Sequence, residues 1–437
     1  MPSSKSQKTD RRAVIVGGVR TPFVRAFAEF IRMDTIALGV AAVRGLLERT
    51  GLPWDEIDSI VWGGVIFPGT APNVGREIGL DLGLPRSIEA MTVTRACATG
   101  LQAVTLAAAA IERGEADVVI AGGSDSTSNA EIKMPQSLVH KVAPVALSSK
   151  SGVMDYFRLL TQISPAKDLL PKRPEIAERS TGEVMGEAGE RMAERNGISR
   201  EAQDAFAVRS HHRAAAAIES GRFDDEVVPV DVKKGGRVYV DTIVRGSTTV
   251  EKLAKLRPAF KKKGTLTAGN SSTLTDGAAA VLLMSEDKAK ELGLRPLAAL
   301  RSWVYVGVDP ADQLLMGPAL AMPKALERAG LKLKDIDVVD MHEAFAAQVL
   351  AVLKMLGSDS FAQQRLGRDK AMGKVDLDRL NLYGGSVSLG HPFAATGARM
   401  VTTMANELAR TDKRYALLGL CAAGGLGAGA VLEAVDK

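Results

Sequence analysis

The chain has little cysteine and little aromatic content. Two cysteines in 437 residues are too few for a disulfide framework or for a structural zinc site built from cysteine alone, and they suit a reducing compartment such as a bacterial-type cytoplasm. Aromatic residues make up only 4%, so the cores must be packed from Ala, Val, Leu and Ile. An excess of one charge is also missing. The 56 Lys+Arg stand against 51 Asp+Glu, a formal +5, which argues against a dedicated nucleic-acid binder. No uncharged apolar run reaches the roughly 18 residues of a membrane-spanning helix. The opening MPSSKSQKTDRR has charge with no apolar segment behind it, as a solvated tail does and a secretory signal does not. GGVRTPF and CAAGGLGAG lack the spacing of a nucleotide fingerprint, no P-loop occurs, and no His/Glu/Asp group has zinc-ligand spacing. We therefore expect no metal and no permanently bound cofactor.

Glycine is plentiful, 43 residues, with 46% hydrophobic and 24% charged residues, a composition typical of α/β proteins. The length is a prior for about three units. RRAVIVGGVRTPF reads as a buried strand entering a turn, and DTIALGVAAVRGLLERTGL as a helix opened by the Asp34 cap. An internal repeat organises the rest. LLERTGLPWDEIDSIVWGGV from Leu46 matches ALERAGLKLKDIDVVDMHEA from Ala325, and CATGLQAVTLAAAAIERG from Cys97 matches AATGARMVTTMANELART from Ala394. The strands that follow, DVVIAGGSDS and ALLGLCAAGG, also correspond. A duplicated α/β unit accounts for this order. The pattern breaks in between, so the boundaries read as a tail over 1–11, a first core over 12–130 and 268–293, an inserted loop domain over 131–267, and a second core over 294–437.

Cys97 stands where a β-prone run gives way to an Ala-rich helix. The unpaired N–H groups and dipole of a helix start favour a thiolate there, although read alone the residue is equally a small buried hydrophobe. His391, in GGSVSLGHPFAATGARM, lies three residues before the repeat equivalent of Cys97, so symmetry brings an imidazole to the thiol. Cys421 ends a strand in a Gly-rich turn whose N–H groups suit a developing oxyanion. Alone it reads as core, and with the other two as an acid/base. His342 follows a buried strand, at the end where open α/β sheets place ligands. His211 and His212 read as solvated helix surface.

At these residues the chain resembles the thiolase family, over nearly its whole length: the RACATG turn, HEAFA, GHPFAATGAR and the CAAGG turn. Within it the likeness is to the 3-ketoacyl-CoA thiolases that form the β subunit of trifunctional fatty-acid oxidation complexes. The resemblance implies a thiolase-like α/β fold, two duplicated halves in an α-β-α-β-α five-layer arrangement with an inserted CoA-binding loop domain. It implies ping-pong cleavage of 3-ketoacyl-CoA by CoA in β-oxidation, giving acetyl-CoA and a shortened acyl-CoA. Cys97 would be the nucleophile, His391 its base and Cys421 the second acid/base. His342 would stand where the family usually has an Asn that orients a water. The N–H groups of Cys97 and Ala423 would form one oxyanion hole, and His391 would contribute to the other. Met185, Arg245, Phe260, Ala268, Ser272, Ala344 and Phe345 fall on positions similar to CoA or acyl contacts. The partners implied are CoA and 3-ketoacyl-CoA, a second copy of the chain, and a hydratase/3-hydroxyacyl-CoA dehydrogenase α subunit. A biosynthetic acetoacetyl-CoA thiolase, a related condensing enzyme and a silent scaffold subunit are the alternatives, and the second thiol at Cys421 argues against the last two. Val153, Tyr156, Phe157 and Leu160 repeat at helical spacing beside Lys150, Arg158, Lys172 and Arg173. They read as a helix packed on the loop domain, or as a docking or membrane face.

Overall fold

The computed structural model describes residues 11–170, 177–232 and 236–435. Residues 1–10 of the expected tail, with Lys172 and Arg173, lie outside them. The strands are β1 (Ala13–Arg20), β2 (Val24–Arg25), β3 (Ser59–Gly63), β4 (Glu89–Val93), β5 (Val118–Ser126), β6 (Val230–Val232), β7 (Gly236–Val238), β8 (Thr275–Ser285), β9 (Ala298–Gly307), β10 (Val338–Met341), β11 (Tyr415–Ala422) and β12 (Leu426–Glu433). The helices of the first half are α1 (Thr35–Thr50), α2 (Val74–Leu82) and α3 (Thr99–Glu112). Next come α4 (Gln136–Ala146), α5 (Val153–Gln162), α6 (Met185–Asn196), α7 (Arg200–Glu219), α8 (Val250–Ala254) and α9 (Glu286–Glu291). The second half has α10 (Gly317–Ala329), α11 (Ala346–Leu356), the one-turn α12 (Asp359–Phe361) and α13 (Ser386–Leu389), and α14 (Ala394–Arg410).

The repeat appears as two sheets of matching order, β3-β5-β8-β1 and β10-β11-β12-β9, with β4 added outside β3. Alternating apolar faces require cover on both sides of each sheet. Helices α1 and α2 cover the first sheet, α10 and α11 cover the second, and α3 and α14 fill the space between the sheets. The result is the five-layer arrangement. The two sheets also join edge to edge, through the pairs Val14↔Ala299 and Ile15↔Ala298 of β1 and β9, so one ladder of hydrogen bonds runs through both halves. Asp34 caps α1 as its position predicts, its side chain accepting the Ala37 N–H at 2.8 Å.

The two middle helices are repeat-related, and they meet backbone to backbone. A Cβ on Gly100 of α3 would fall against the Ala394 carbonyl and 2.7 Å from the Ala398 nitrogen, and one on Gly397 of α14 would fall on the Leu101 nitrogen. Two glycines at equivalent positions thus let the starts of α3 and α14 approach closely.

The chain divides into two units. One comprises residues 1–129 and 178–437, the other Ala130–Ala177. The segment expected as one insertion over 131–267 is therefore shared between them. In the smaller unit Lys141 joins its helices by bonding the Gln162 carbonyl at 2.9 Å and the buried Asp168 carboxylate at 2.7 Å. Val153 (83% exposed), Phe157 (65%) and Leu160 (67%) leave the apolar face of α5 exposed. Among the described residues no helix is long and apolar enough to cross a membrane.

Candidate active site

The chain leaves β4 through a tight turn. Ala96 takes φ 45°, a left-handed conformation that costs a residue with a Cβ about 1–3 kcal/mol. Thr99 holds the turn, its hydroxyl accepting the Arg95 N–H at 2.7 Å and donating to the Ala96 carbonyl at 2.6 Å. Cys97 sits in the one-turn 3-10 helix over 96–98 that enters α3, partly buried.

His391 and His342 reach the same place from the second half. The His391 N–H donates to the Thr273 carbonyl at 3.3 Å, and that of His342 to the Gly419 carbonyl at 2.8 Å. His391 Nδ1 pairs with the Thr396 hydroxyl at 2.7 Å, and His342 Nδ1 with the Ser386 hydroxyl at 2.8 Å. The ring centroids are 4.2 Å apart with the planes tilted by 45°. The Cys97 sulfur and one ring nitrogen of each histidine all lie within 4.8 Å of one another. Both Nε2 atoms are buried and have no hydrogen-bond partner among the described residues.

Cys421 is buried in β11 opposite Gly427 of β12. The chain then turns at Gly424 (φ 81°) and Gly425 (φ 66°), so Ala423 precedes two positions that favour glycine. The N–H groups of Ala423 and of Cys97 itself lie near the Cys97 sulfur and favour its ionised form. Glu178 braces this turn, its Oε2 accepting the Gly424 N–H at 2.9 Å.

The electrostatics correct the expectation of a resting thiolate. Burial pushes the Cys97 thiol up to about 11, outweighing the two backbone N–H groups that pull it down, and the nearby Asp125 charge adds to the rise. Burial, with the Arg399 charge, pushes His391 down to about 3. Burial also holds His342 well below the usual imidazole range, helped by His391 and Arg399, and it raises Cys421 well above the usual thiol range, with Cys97 adding to the rise. At rest the site holds neutral thiols beside neutral imidazoles.

Several supporting residues escaped the sequence reading. Asp125, at the end of β5, accepts N–H groups from Val65 (2.9 Å), Ile66 (2.6 Å) and Ala394 (2.7 Å), which anchors the start of α14. Glu343 accepts from Asn381 (2.6 Å), Ser210 (2.7 Å) and the Val387 N–H (3.1 Å), fixing the loop that presents Ser386 to His342. Arg399 and Asp340 form a buried pair at 3.0 Å. His211 is buried, not solvated as expected: its Nδ1 accepts the Arg245 N–H at 3.2 Å, and burial pushes its pKa down to about 4. His212 is exposed as expected.

Residues 13–287 match the Thiolase, N-terminal domain model and residues 294–434 the Thiolase, C-terminal domain model. The chain belongs to the thiolase family. It is 46% identical over 424 residues to the 3-ketoacyl-CoA thiolase of Yersinia enterocolitica, covering 97% of each chain. It also superposes on human mitochondrial 3-ketoacyl-CoA thiolase with a TM-score of 0.83 at 31% identity, covering 98% of this chain and 99% of that one. On the Bacillus anthracis acetyl-CoA acetyltransferase the TM-score is 0.82 at 32% identity, covering 98% and 100%.

In this thiolase, several of the positions expected to contact CoA or acyl groups gather along one wall. The Ser272 N–H donates to the Ala344 carbonyl at 2.9 Å, Ser271 bridges to Phe345, and Phe345 meets Phe260 edge to face with centroids 5.8 Å apart. Phe260 lies against Gly186, beside the half-buried Met185 that opens α6. Ala268 and Arg245 are exposed, and Arg245 is fixed through its backbone to His211.

Proposed function

We propose that this thiolase is a 3-ketoacyl-CoA thiolase, cleaving 3-ketoacyl-CoA with CoA to acetyl-CoA and an acyl-CoA two carbons shorter. The observation that carries the reading is the convergence of the Cys97 sulfur and the His342 and His391 rings within 4.8 Å. The full-length likeness to a 3-ketoacyl-CoA thiolase supports the substrate class.

The chemistry follows from the resting charges. A neutral thiol beside a neutral imidazole gains little by exchanging its proton in advance. Transfer to His391 therefore accompanies attack of the sulfur on the C3 carbonyl. The C2–C3 bond breaks, the acyl group stays on Cys97 as a thioester, and the departing enolate takes a proton at C2 from the Cys421 thiol. The thiolate left at Cys421 takes the proton of the incoming CoA thiol. The CoA sulfur attacks the acyl thioester, and Cys97 leaves with the proton returned by His391. The Cys97 and Ala423 N–H groups, close to the sulfur, suit the thioester oxygen, and the unpartnered Nε2 atoms suit the other oxyanion. The Thr396 hydroxyl either donates to or accepts from His391 Nδ1, so Nε2 can act as base or as donor. CoA is a co-substrate, and no step calls for a permanently bound cofactor.

Cys97→Ser is expected to abolish labelling by an acyl-CoA donor. Cys421→Ala is expected to retain labelling and lose turnover, read as CoA-dependent loss of 3-ketoacyl-CoA absorbance. Wild-type turnover in either variant refutes the assignment.

The reading extends to a cytoplasmic enzyme, which two unpaired thiols suit, and to a homodimer. The outer strand β4 with its exposed Met91 supports pairing. It extends also to a complex with a hydratase/3-hydroxyacyl-CoA dehydrogenase subunit or a membrane surface, supported by the exposed apolar face of α5. Replacing Phe157 and Leu160 by Asp is expected to abolish pull-down by that subunit or flotation with liposomes. Unchanged binding in both assays removes the idea.

A further inference from the structure

Spacing along the chain gives no hint of a metal site, because the three groups concerned lie in three distant segments. In the fold they form a set that ligates soft cations well. We propose that Cys97, His342 and His391 bind a single soft divalent cation such as Zn2+, which reversibly closes the thiol.

Three observations carry this. The Cys97 sulfur and one ring nitrogen of each histidine already lie within 4.8 Å of one another. Bond lengths of about 2.0–2.1 Å to nitrogen and about 2.3 Å to sulfur at tetrahedral angles put ligand atoms roughly 3.3–3.6 Å apart, so each needs to move inward by no more than about an ångström and a half. Next, His342 and His391 are 0% and 5% exposed, yet each leaves Nε2 without a partner among the described residues. A buried polar atom left unpaired costs free energy that a ligand recovers. Finally, each Nδ1 is held by a hydroxyl, Ser386 for His342 and Thr396 for His391, the outer-shell contact that orients metal-binding imidazoles and directs Nε2 to the ion. Two nitrogens and one sulfur suit Zn2+ and its neighbours better than hard cations.

Binding forms a sulfur–metal bond and breaks the S–H bond, with the proton passing to solvent. No electron is transferred. His342 is the residue that makes the site: an Asn there would leave one imidazole and one thiol, too few for a tight site. The inference rests on ligand chemistry alone and does not require the catalytic reading.

The test is titration of the full-length protein, without substrate, by Co2+ or Cd2+. One cation per chain is expected, with a sulfur-to-metal charge-transfer band that disappears on adding chelator. Cys97→Ser is expected to lose the band, Cys421→Ala to keep it, and His342→Asn to weaken binding at least about tenfold. Absence of the band, its persistence in Cys97→Ser, its loss in Cys421→Ala, or a smaller effect of His342→Asn overturns the proposal. If a variant does not fold, the wild-type protein still decides. Zn2+ should shield Cys97 from iodoacetamide as read by mass spectrometry, and alkylation at an unchanged rate overturns it. Acyl labelling of the metal-free protein separates the two readings, since a metal band in a chain that does not acylate when metal-free sinks only the catalytic one.

Discussion

Replacing Gly100 by Ala tests whether the contact between the middle helices sets the active-site geometry. On an ordinary helix the change stabilises by up to about 1 kcal/mol. Here the new Cβ would press on the Ala394 carbonyl and stand 2.7 Å from the Ala398 nitrogen, against the 3.4 Å where ordinary contact begins, so α3 and α14 must separate by about 0.7 Å to clear the nitrogen and by about 1 Å to clear the carbonyl. Neither obstacle is a flexible side chain; both are backbone. Overpacking of this kind costs roughly 1–3 kcal/mol, which leaves a net loss of up to about 2 kcal/mol once the full helix gain is subtracted. The effect on rate is expected to be larger. Cys97 lies in the turn that enters one of these helices and His391 precedes the other, and a displacement near 1 Å costs on the order of 10²-fold. Gly79→Ala in α2 is the control, because its Cβ would meet only Ile60 Cδ1 at 3.4 Å. It should keep the wild-type rate and gain stability. Stopped-flow acylation by acyl-CoA and thermal unfolding of both variants supply the readouts. Wild-type acylation in Gly100→Ala refutes the reasoning.

Two further outcomes follow from the electrostatics. With the thiol at about 11, alkylation of the free enzyme should rise about tenfold per pH unit through the neutral range, because reactivity follows the thiolate fraction. With His391 near 3, its base form is present throughout that range, so acylation by acyl-CoA should not fall near the usual imidazole value. A plateau of alkylation at neutral pH, the mark of a preformed ion pair, contradicts both. Asp125→Asn replaces a carboxylate that accepts three N–H groups with a side chain whose amide must face one of them. Leaving one buried donor unpaired costs about 1–3 kcal/mol. The loss should appear in chemical denaturation together with slower acylation, and an unchanged midpoint would show that Asp125 does not anchor α14.

Much of the frame is legible in the sequence because repetition reveals it. The CATG and AATG pair marks α3 and α14, and the strand end that follows the second marks where Cys421 stands. What stays hidden depends on contacts between distant segments. His211 occupies a buried helix position alongside Gln203, Asp204 and Ser210, so a reading by hydrophobicity takes a polar but buried face for a solvated one. The thiol's protonation is misjudged for a related reason: a helix start is visible in the sequence, but the burial that overrides it is not. Glu343 shares a motif with His342, yet its partners Asn381 and Ser210 are far away in the chain, and nothing local predicts them. The separation of residues 130–177 from those after 178 likewise leaves no boundary in the composition.

The equivalent turns of the two repeats have taken on different tasks. In the first, Thr99 secures the bend that presents a nucleophile. In the second, its counterpart Thr396 grips an imidazole instead, and Ala394, in the place of Cys97, gives its N–H to the opposite half through Asp125. Doubling an ancestral segment within one polypeptide thus allowed a division of labour that a single copy could not support, with one copy specialised for bond making and the other for holding it in place.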